Sequence, residues 1–520
     1  MAPTTKEAQR AELHKTIWRI ANDLRGSVDG WDFKAYVLGM LFYRFISENL
    51  TAYINQDEHE AGNPDYDYLE ESDHRASDIL EGVVNEKGFF ILPSELFANV
   101  RERASQDEKL NETLERVFRN IGNSASRTAA EGTLKGLFDD LDVNSSKLGS
   151  TVNKRNGKLV KLLNAIGDLP LGNFEDHSID LFGDAYEYLM GMYASQAGKS
   201  GGEYYTPQEV SELLARLTVV GKTEVNKVYD PACGSGSLLL KFAKVLGPDR
   251  VRNGFYGQEI NLNTYNLARI NMFLHNINYE DFNIEHGDTL TDPKHWDDEP
   301  IVSNPPYSTK WEGNDNQLLI NDERFAPAGV LAPKSKADLA FTMHILSWLS
   351  VNGTAAIVEF PGVLYRGGAE RKIRKYLIDN NYVDTVIQLP PDLFFGTTIA
   401  TCIIVLKKSK PDNAVLFIDA SGEFSRVGNK NKLLQQNQDH ILETFTARRN
   451  VDHVATLVTN EDLAANDYNI SVSSYVEKED TREAVDIQAL NAEIARIVAR
   501  QAELRTEIDA IVADLEGGPS

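Results

Sequence analysis

The feature that most constrains the fold is an alternation, from about Ser178 onward, between short apolar runs and segments with helical periodicity. The runs that we expect to be strands cover residues 227–230, 254–259, 283–288, 301–304, 354–360, 384–389 and 401–406. Strands that alternate with helices form βαβ units, which build a parallel, doubly wound α/β sheet. No helical pattern separates the last two runs, so we expect them to pair antiparallel at one edge of the sheet.

The regions on either side of this α/β segment are expected to be helical. In residues 1–170, Val37, Leu41 and Phe45 share one helical face. Near the other end, apolar side chains recur at alternating spacings of three and four residues, with Gln501 as one polar exception: Ile487, Leu490, Ile494, Ile497, Gln501, Leu504, Ile508, Ile511 and Leu515. This heptad seam predicts a coiled-coil helix that packs on a partner helix, and packing back on its own chain is the alternative. The expected domains are therefore helical (1–170), α/β (171–475) and coiled-coil (476–520).

Composition narrows the class of protein. The chain has 520 residues, two cysteines and a formal net charge of −25. It contains no run of the roughly 18 apolar residues that a membrane span needs, and its first residues lack the apolar core of a secretory signal. We therefore expect a cytoplasmic protein without membrane segments. A chain this acidic repels phosphate on average, so action on nucleic acid requires a local basic face or a partner.

Chemistry-bearing residues follow the expected strands. The segment KVYDPACGSGSLLL, residues 227–240, reads as a strand ending at Asp230, a turn with Gly234 and Gly236, and a helix. Such a turn offers backbone N–H groups to NAD, FAD or S-adenosylmethionine, although a structural tight turn is the alternative. Glu259 and Asp288 end the next two strands, where carboxylates can hold a ribose and meet an adenine edge. Singly, each is also explained as a helix cap or turn residue.

The most specific pattern is the tetrapeptide Asn304-Pro305-Pro306-Tyr307 at the end of the fourth strand. Two prolines fix φ and remove two N–H donors, which leaves carbonyl groups as acceptors. The Asn304 side-chain oxygen and the Pro305 carbonyl can both accept from one amino group, and the Tyr307 ring offers a stacking face. A proline-stiffened turn is the structural alternative.

In this order, DPACGSGSLLL followed by NPPY resembles the S-adenosylmethionine-dependent N6-adenine DNA methyltransferases. The segment FGDAYEYLMGMYASQAGKSGGEYYTPQEV, residues 182–210, narrows the resemblance to the methyltransferase (HsdM) subunits of type I restriction-modification systems. The resemblance spans essentially the whole chain. It implies a Rossmann-like S-adenosylmethionine-dependent core that methylates adenine N6 at a DNA site and thereby protects host DNA.

The resemblance also implies roles for individual residues. The target adenine, flipped out of the duplex, would lie against Asn304, Pro305, Pro306 and Tyr307, with Phe394 or Phe395 on its other face. Asp230 would face the methionine ammonium, Glu259 the ribose and Asp288 the adenine of the cofactor. The implied cofactor-binding residues are Gly198, Lys199, Ser200, Gly201, Gly202, Glu203, Thr206, Asp230, Pro231, Ala232, Gly234, Gly236, Glu259 and Asp288. No metal is expected, because the histidines show no ligand spacing and methyl transfer needs none.

Partners follow from the same resemblance. It implies a separate specificity subunit that chooses the DNA site, a second copy of this chain, and an endonuclease and translocase subunit. Three alternatives remain at this stage: a protein glutamine methyltransferase, which uses the same tetrapeptide; a non-catalytic scaffold subunit; and a nucleotide-dependent oxidoreductase, in which NPPY would have no role.

Overall fold

A computed structural model describes the chain at residues 13–18, 30–128, 130–171, 179–196, 206–295, 298–394, 397–428, 430–478 and 487–516. Its contacts divide the chain into two compact units, Met1–Val476 and Glu477–Ser520. The first unit holds a helical region and an α/β region, and the second holds one long helix.

The region ahead of the sheet is helical, as the sequence predicts. Its helices are α1 (Gly30–Glu60), α2 (Asp73–Ala76), α3 (Leu80–Lys87), α4 (Phe97–Arg103), α5 (Leu110–Ser124), α6 (Glu131–Leu134), α7 (Val152–Gly167) and α8 (Ile179–Gln196). Val37, Leu41 and Phe45 of α1 are all buried, in a hydrophobic core that continues into the α/β region. The boundary expected near residue 170 is therefore not a break in packing.

The α/β region contains a central sheet and a small hairpin. Its strands are β1 (Val228–Asp230), β2 (Phe255–Glu259), β3 (Phe282–His286), β4 (Asp298–Ser303), β5 (Leu349–Glu359), β6 (Val383–Gln388), β7 (Cys402–Lys407), β8 (Ala414–Asp419), β9 (Ser425–Val427), β10 (Lys430–Lys432) and β11 (Ala455–Thr459). Its helices are α9 (Gln208–Thr218), α10 (Ser237–Leu246), α11 (Leu262–Leu274), α12 (Asp338–Trp348), α13 (Gly368–Asp379), α14 (Gln435–Ala447) and α15 (Asn460–Ala465). Within the described residues, the central sheet has the order β11-β8-β6-β7-β5-β4-β1-β2-β3.

The expectation of a doubly wound α/β core is confirmed. Strands β3, β2, β1, β4 and β5 run parallel in that spatial order. The order reverses between β1 and β4, because β1 is followed along the chain by β2 on one side and is flanked by β4 on the other. Such a switch point opens a crevice at the carboxyl ends of the strands, and ligands of doubly wound sheets bind there. Asp230 of β1 and Asn304, immediately after β4, therefore face the same crevice.

One expectation about the sheet is wrong. Strand β7 pairs antiparallel with β6, as predicted, but it also pairs antiparallel with β5 and so lies inside the sheet. Its residues Cys402 to Leu406 are all buried, as a continuous apolar run in an interior strand should be. The edge is formed instead by β11, which pairs with β8, and neither of these two strands was recognised in the sequence.

The second unit contains helix α16 (Ile487–Glu516). It carries the heptad seam on a continuous run of 30 helical residues. The seam side chains are exposed, for example Ile494 at 50% and Ile508 at 58%. In the part of the chain that the structure describes, no helix is both long enough and apolar enough to cross a membrane.

Candidate active site

The turn after β1 is shaped by two glycines with left-handed backbones, Gly234 at φ +55° and Gly236 at φ +77°. Gly236 is the N-cap residue of α10. A Cβ atom at Gly236 would lie 3.0 Å from the Met272 Cε atom of α11. Both the backbone conformation and the close helix packing therefore favour glycine, which lets the chain turn sharply from strand to helix.

Asp230, at the end of β1, is 1% exposed. Its Oδ1 atom accepts hydrogen bonds from the Ala232 N–H at 3.0 Å and from the Ser303 hydroxyl at 2.9 Å. Burial raises the pKa of Asp230 to about 7, although these two hydrogen bonds act in the opposite direction, and the nearby Glu259 raises it further. The crevice thus contains a desolvated carboxylate that a cation would stabilise.

Glu259 ties the end of β2 to the glycine turn. Its Oε2 atom accepts from the Gly234 N–H at 3.1 Å, and its Oε1 atom accepts from the Asn261 N–H at 2.8 Å. Burial raises the pKa of this carboxyl, and the backbone hydrogen bonds lower it. Each oxygen keeps a second lone pair, so the carboxylate can still accept from a ligand hydroxyl.

Asp288 follows β3 on the third side of the crevice and is half-buried. Its Oδ1 atom accepts from the Leu290 N–H at 3.0 Å. The next residue, Thr289, donates its hydroxyl to the Pro231 carbonyl at 2.6 Å. The loop after β3 is thereby fixed against the loop after β1.

Sequence analysis missed Arg324, a buried residue that binds the loop after β3 through two backbone carbonyls. Arg324 is 3% exposed and donates to the carbonyls of Thr289 at 2.9 Å and Leu290 at 2.8 Å, and it pairs with Asp322 at 2.7 Å. It comes from the long segment between β4 and α12, which shows no periodic pattern. No short-range signal in the sequence connects it with the loop after β3.

Asn304, the first residue of the tetrapeptide, has both ends of its amide engaged. Its Nδ2 atom donates to the Thr206 Oγ1 atom at 3.0 Å, and its Oδ1 atom accepts from the Tyr307 hydroxyl. The family resemblance assigned Thr206 to the cofactor side. This residue is 7% exposed, and its hydrogen bond with Asn304 shows that it also contacts the tetrapeptide. In this orientation the Asn304 Oδ1 atom keeps a second lone pair with which it can accept another hydrogen bond.

Tyr307 makes a tilted contact with one phenylalanine ring and an edge contact with another. Its ring centroid lies 6.2 Å from that of Phe360 and 6.4 Å from that of Phe394. Of the two phenylalanines named from sequence, Phe394 is 2% exposed and Phe395 lies outside the described residues. Phe360 is half-buried and was missed, although it ends the apolar run at 354–360 beside the tetrapeptide strand.

The chain leaves the tetrapeptide through a constrained turn. Ser308 adopts a left-handed backbone with φ +51°. Its N–H lies 3.1 and 3.2 Å from the two carboxylate oxygens of Asp338, which is 1% exposed at the start of α12. A left-handed non-glycine residue needs such support from its surroundings, so Asp338 helps to set the path of the chain after Tyr307.

The loops after the strands surround one cavity of about 240 Å³, whose lining does not include Tyr307, Phe360 or Phe394. Its lining includes the following residues named from the sequence: Thr206, Asp230, Pro231, Ala232, Gly234, Glu259, Asp288, Asn304 and Pro306. Pro305 is buried beside it. The other named cofactor residues, Gly198, Lys199, Ser200, Gly201, Gly202 and Glu203, lie outside the described residues. Within the described ranges, no group of His, Cys, Asp and Glu side chains could hold a metal ion.

Comparisons with known proteins agree with this architecture. The N-6 DNA methylase family model matches residues 177–484, and the HsdM N-terminal domain model matches residues 13–166. The type I restriction enzyme MpnII methylase subunit of Mycoplasma pneumoniae is 48% identical over 529 residues, covering 98% of this chain and 97% of that protein. The MjaVII methylase subunit of Methanocaldococcus jannaschii is 32% identical, covering 66% of this chain and 61% of that protein.

Among solved structures, the methyltransferase subunit of a type I restriction-modification system from Streptococcus thermophilus is 35% identical. It superposes with a TM-score of 0.82 and covers 90% of this chain and 100% of its own. A chain from a structure of type I restriction-modification complex assembly, 17% identical with a TM-score of 0.63, shares the fold.

The fold and the matched model define the class of protein, an adenine-specific N6 DNA methyltransferase. Within that class, the chain belongs to the methylase subunits of type I restriction enzymes. The comparisons favour this identity over the glutamine methyltransferase, scaffold and oxidoreductase alternatives.

Proposed function

We propose that the crevice binds S-adenosylmethionine and presents it to an adenine held by Asn304, Pro305, Pro306 and Tyr307. The observation that carries the proposal is that Asn304 and Pro306 line the same cavity as Asp230, Glu259 and Asp288. Cofactor and target residues are thus close enough for direct transfer, without a carrier or a moving domain in between.

The chemistry of the crevice fits a cationic nucleoside. Asp230 and Glu259 are carboxylates whose pKa values are raised by burial, so a ligand with a positive ammonium or sulfonium relieves their desolvation. Asp230 faces the ammonium, Glu259 accepts from the ribose hydroxyls, and Asp288 lies by the purine edge. Ile260, 64% exposed on the same lining, offers apolar surface to the purine ring.

When bound, S-adenosylmethionine supplies a methyl group that is already activated by its positive sulfur. Asn304 Oδ1 and the Pro305 carbonyl accept hydrogen bonds from the two N–H groups of the adenine amine. Accepting both hydrogen bonds favours a more tetrahedral nitrogen, whose lone pair is less delocalised into the ring and can attack the methyl carbon. The nitrogen–carbon bond would form as the sulfur–carbon bond breaks, which leaves a neutral thioether, and the methylated amine would release one proton to water. Positioning and electrostatics therefore account for most of the acceleration. The base must leave the duplex to reach this pocket, where the Tyr307 ring stacks on it.

Cofactor affinity should fall as the pH is lowered from 8 to 6. The ionised Asp230 attracts the cofactor ammonium, but burial raises the pKa of Asp230 to about 7, so protons compete with the cofactor below that pH. Each pH unit below the pKa should weaken binding by up to about tenfold, measurable by titration calorimetry. Asp230→Asn keeps an acceptor for Ala232 and Ser303, and should bind weakly with a smaller pH dependence. An Asp230→Asn variant with wild-type affinity and pH profile would contradict the assigned role.

We assign recognition of the DNA site to a separate specificity subunit. The net charge of −25 supports this division of labour, because most of the chain's surface repels DNA. The exposed apolar seam of α16 supports the proposal that this helix packs against a helix of the specificity subunit. A second copy of this chain and an endonuclease and translocase subunit complete the proposed assembly, which acts on DNA in the cytoplasm.

The purified chain alone should bind S-adenosylmethionine but methylate DNA poorly, whereas adding the specificity subunit should restore site-specific methylation. The physical reason is that the cofactor crevice lies within this chain, while the chain is too acidic to hold DNA by itself. Transfer of labelled methyl groups to DNA, with and without the partner, measures the difference. A glutamine-containing protein acceptor serves as the control substrate. Robust site-specific DNA methylation by the chain alone would contradict the division of labour.

A further inference from the structure

Three cations, Lys310, Lys336 and Arg366, lie near the tetrapeptide. We call the exposed rim formed by residues 308–310 the pocket mouth. Lys310 is exposed and lines the cavity together with Asn304 and Pro306. The Ala337 N–H donates to the Thr309 carbonyl at 2.9 Å, which brings Lys336 alongside Lys310. The third cation is Arg366, whose guanidinium carbon lies 6.0 Å above the centre of the Phe360 ring. The Phe360 ring centre lies 6.2 Å from that of Tyr307, which places Arg366 near the tetrapeptide but not on the lining of the cavity.

The positive charges of Arg366 and Lys336 both lower the pKa of one acid, Glu370. Arg366 NH1 lies 3.5 Å from the Glu370 Oε1 atom, and Glu370 is 4% exposed. Burial raises the pKa of Glu370, whereas the charges of Arg366 and Lys336 lower it. The charges of both cations thus act on one buried carboxylate, and the nearby Asp338 acts on its pKa in the opposite direction.

The three cations carry an excess of positive charge. Among the described residues, no carboxylate lies within 4.0 Å of the Lys310 or Lys336 ammonium group, whereas the adjacent Lys334 is paired with Asp315. Glu370 and Asp338 are the two acids of this cluster, so Lys310, Lys336 and Arg366 leave an excess of one positive charge near the tetrapeptide. This local excess stands out in a chain whose formal net charge is −25.

We propose that Lys310, Lys336 and Arg366 bind the phosphates that flank the flipped adenine. When a base enters the pocket, its sugar and two phosphates stay at the mouth, because the backbone of the strand remains outside. Lysine and arginine are the side chains that contact phosphate oxygens most often, and the exposed hydroxyls of Ser308 and Thr309 add donors at the same rim. These residues supply the basic face that an acidic methylase needs. The inference rests on the proposed function.

The test uses the enzyme assembled from this chain and its specificity subunit, with a short DNA duplex that carries the site the wild type methylates. Lys310→Gln and Lys336→Gln are combined, and the DNA affinity is measured by fluorescence anisotropy at several salt concentrations. Each lost phosphate contact lowers the slope of log K against log salt by about 0.9. The double variant should thus lose about 1.8 from the slope and bind roughly 60-fold more weakly at 0.1 M salt.

Lys222→Gln is the matched control. The Lys222 ammonium donates to the carbonyl of Asn352, near the start of β5 and so at the edge of the sheet opposite the pocket. This variant should keep the wild-type slope, and the affinity for S-adenosylmethionine should be unchanged in both variants. A double variant with the wild-type salt slope would overturn the inference while the proposed function stands. A wild-type assembly that neither binds nor methylates DNA would overturn both.

Discussion

Replacing Asn304 with alanine should reduce methyl transfer by about 10²–10³-fold, by analogy with the loss of one oxyanion-hole donor. The substitution removes the proposed acceptor for the target amine. Cofactor affinity should stay close to that of the wild type, because the polar contacts of the Asn304 side chain in the structure are to Thr206 and Tyr307 and not to Asp230, Glu259 or Asp288. Single-turnover methylation and cofactor titration measure the two quantities separately.

Asn253→Ala provides a control for the loss of an asparagine side chain. Asn253 lies just before β2, at the edge of the sheet opposite the pocket, and its amide donates to the Asn226 side chain at 2.7 Å. This control should methylate at the wild-type rate. If cofactor affinity fell in Asn304→Ala as steeply as the rate, the role assigned to Asn304 would be wrong.

The second large effect is expected at the C-terminal helix. Replacing Ile494 and Ile508 with aspartate should abolish association with the partner and, with it, DNA methylation. Burying one isoleucine is worth roughly 1.5–3 kcal/mol, so losing two weakens association by orders of magnitude. Cofactor binding should survive, since every crevice residue precedes α16 along the chain. Analytical ultracentrifugation of the mixed subunits measures the assembly.

Ala492→Asp with Ala499→Asp is the matched control, because these positions lie on α16 away from the seam and receive the same added charges. The control pair should assemble, which would show that the seam and not the charge of the helix is decisive. Normal assembly of the Ile494 and Ile508 variant would instead mean that the seam packs on its own chain.

Sequence patterns predicted the parts of the site that depend on local backbone chemistry. Gly234 and Gly236 indicate a tight turn because other residues rarely adopt left-handed backbones. Pro305 and Pro306 indicate a rigid segment because proline fixes φ. Once the strands are recognised as parallel, their order along the chain places Asp230, Glu259, Asp288 and Asn304 at one edge of the sheet.

Features that depend on long-range contacts were not predictable in the same way. The position of β7 inside the sheet depends on which strands flank it, and an apolar run of six residues fits several positions. Arg324 reaches the loop after β3 across 34 and 35 residues of chain. The bond between Thr206 and Asn304 spans 98 residues. Hydrogen bonds between residues this far apart in the chain produce no periodic pattern from which the sequence could predict them.

The bond between Thr206 and Asn304 also has a consequence for which bases the proposed pocket would accept. In the structure the Asn304 Nδ2 atom donates to Thr206, so the amide presents its oxygen, and not its NH2 group, to the proposed position of the target amine. Hypoxanthine, the product of adenine deamination, carries a keto oxygen where adenine carries its amine. That oxygen would face the acceptors of Asn304 and Pro305 without a donor, and each such unsatisfied group costs about 1–3 kcal/mol. If the tetrapeptide holds the target base as proposed, a deaminated site should therefore bind poorly, in addition to lacking the amine that accepts the methyl group.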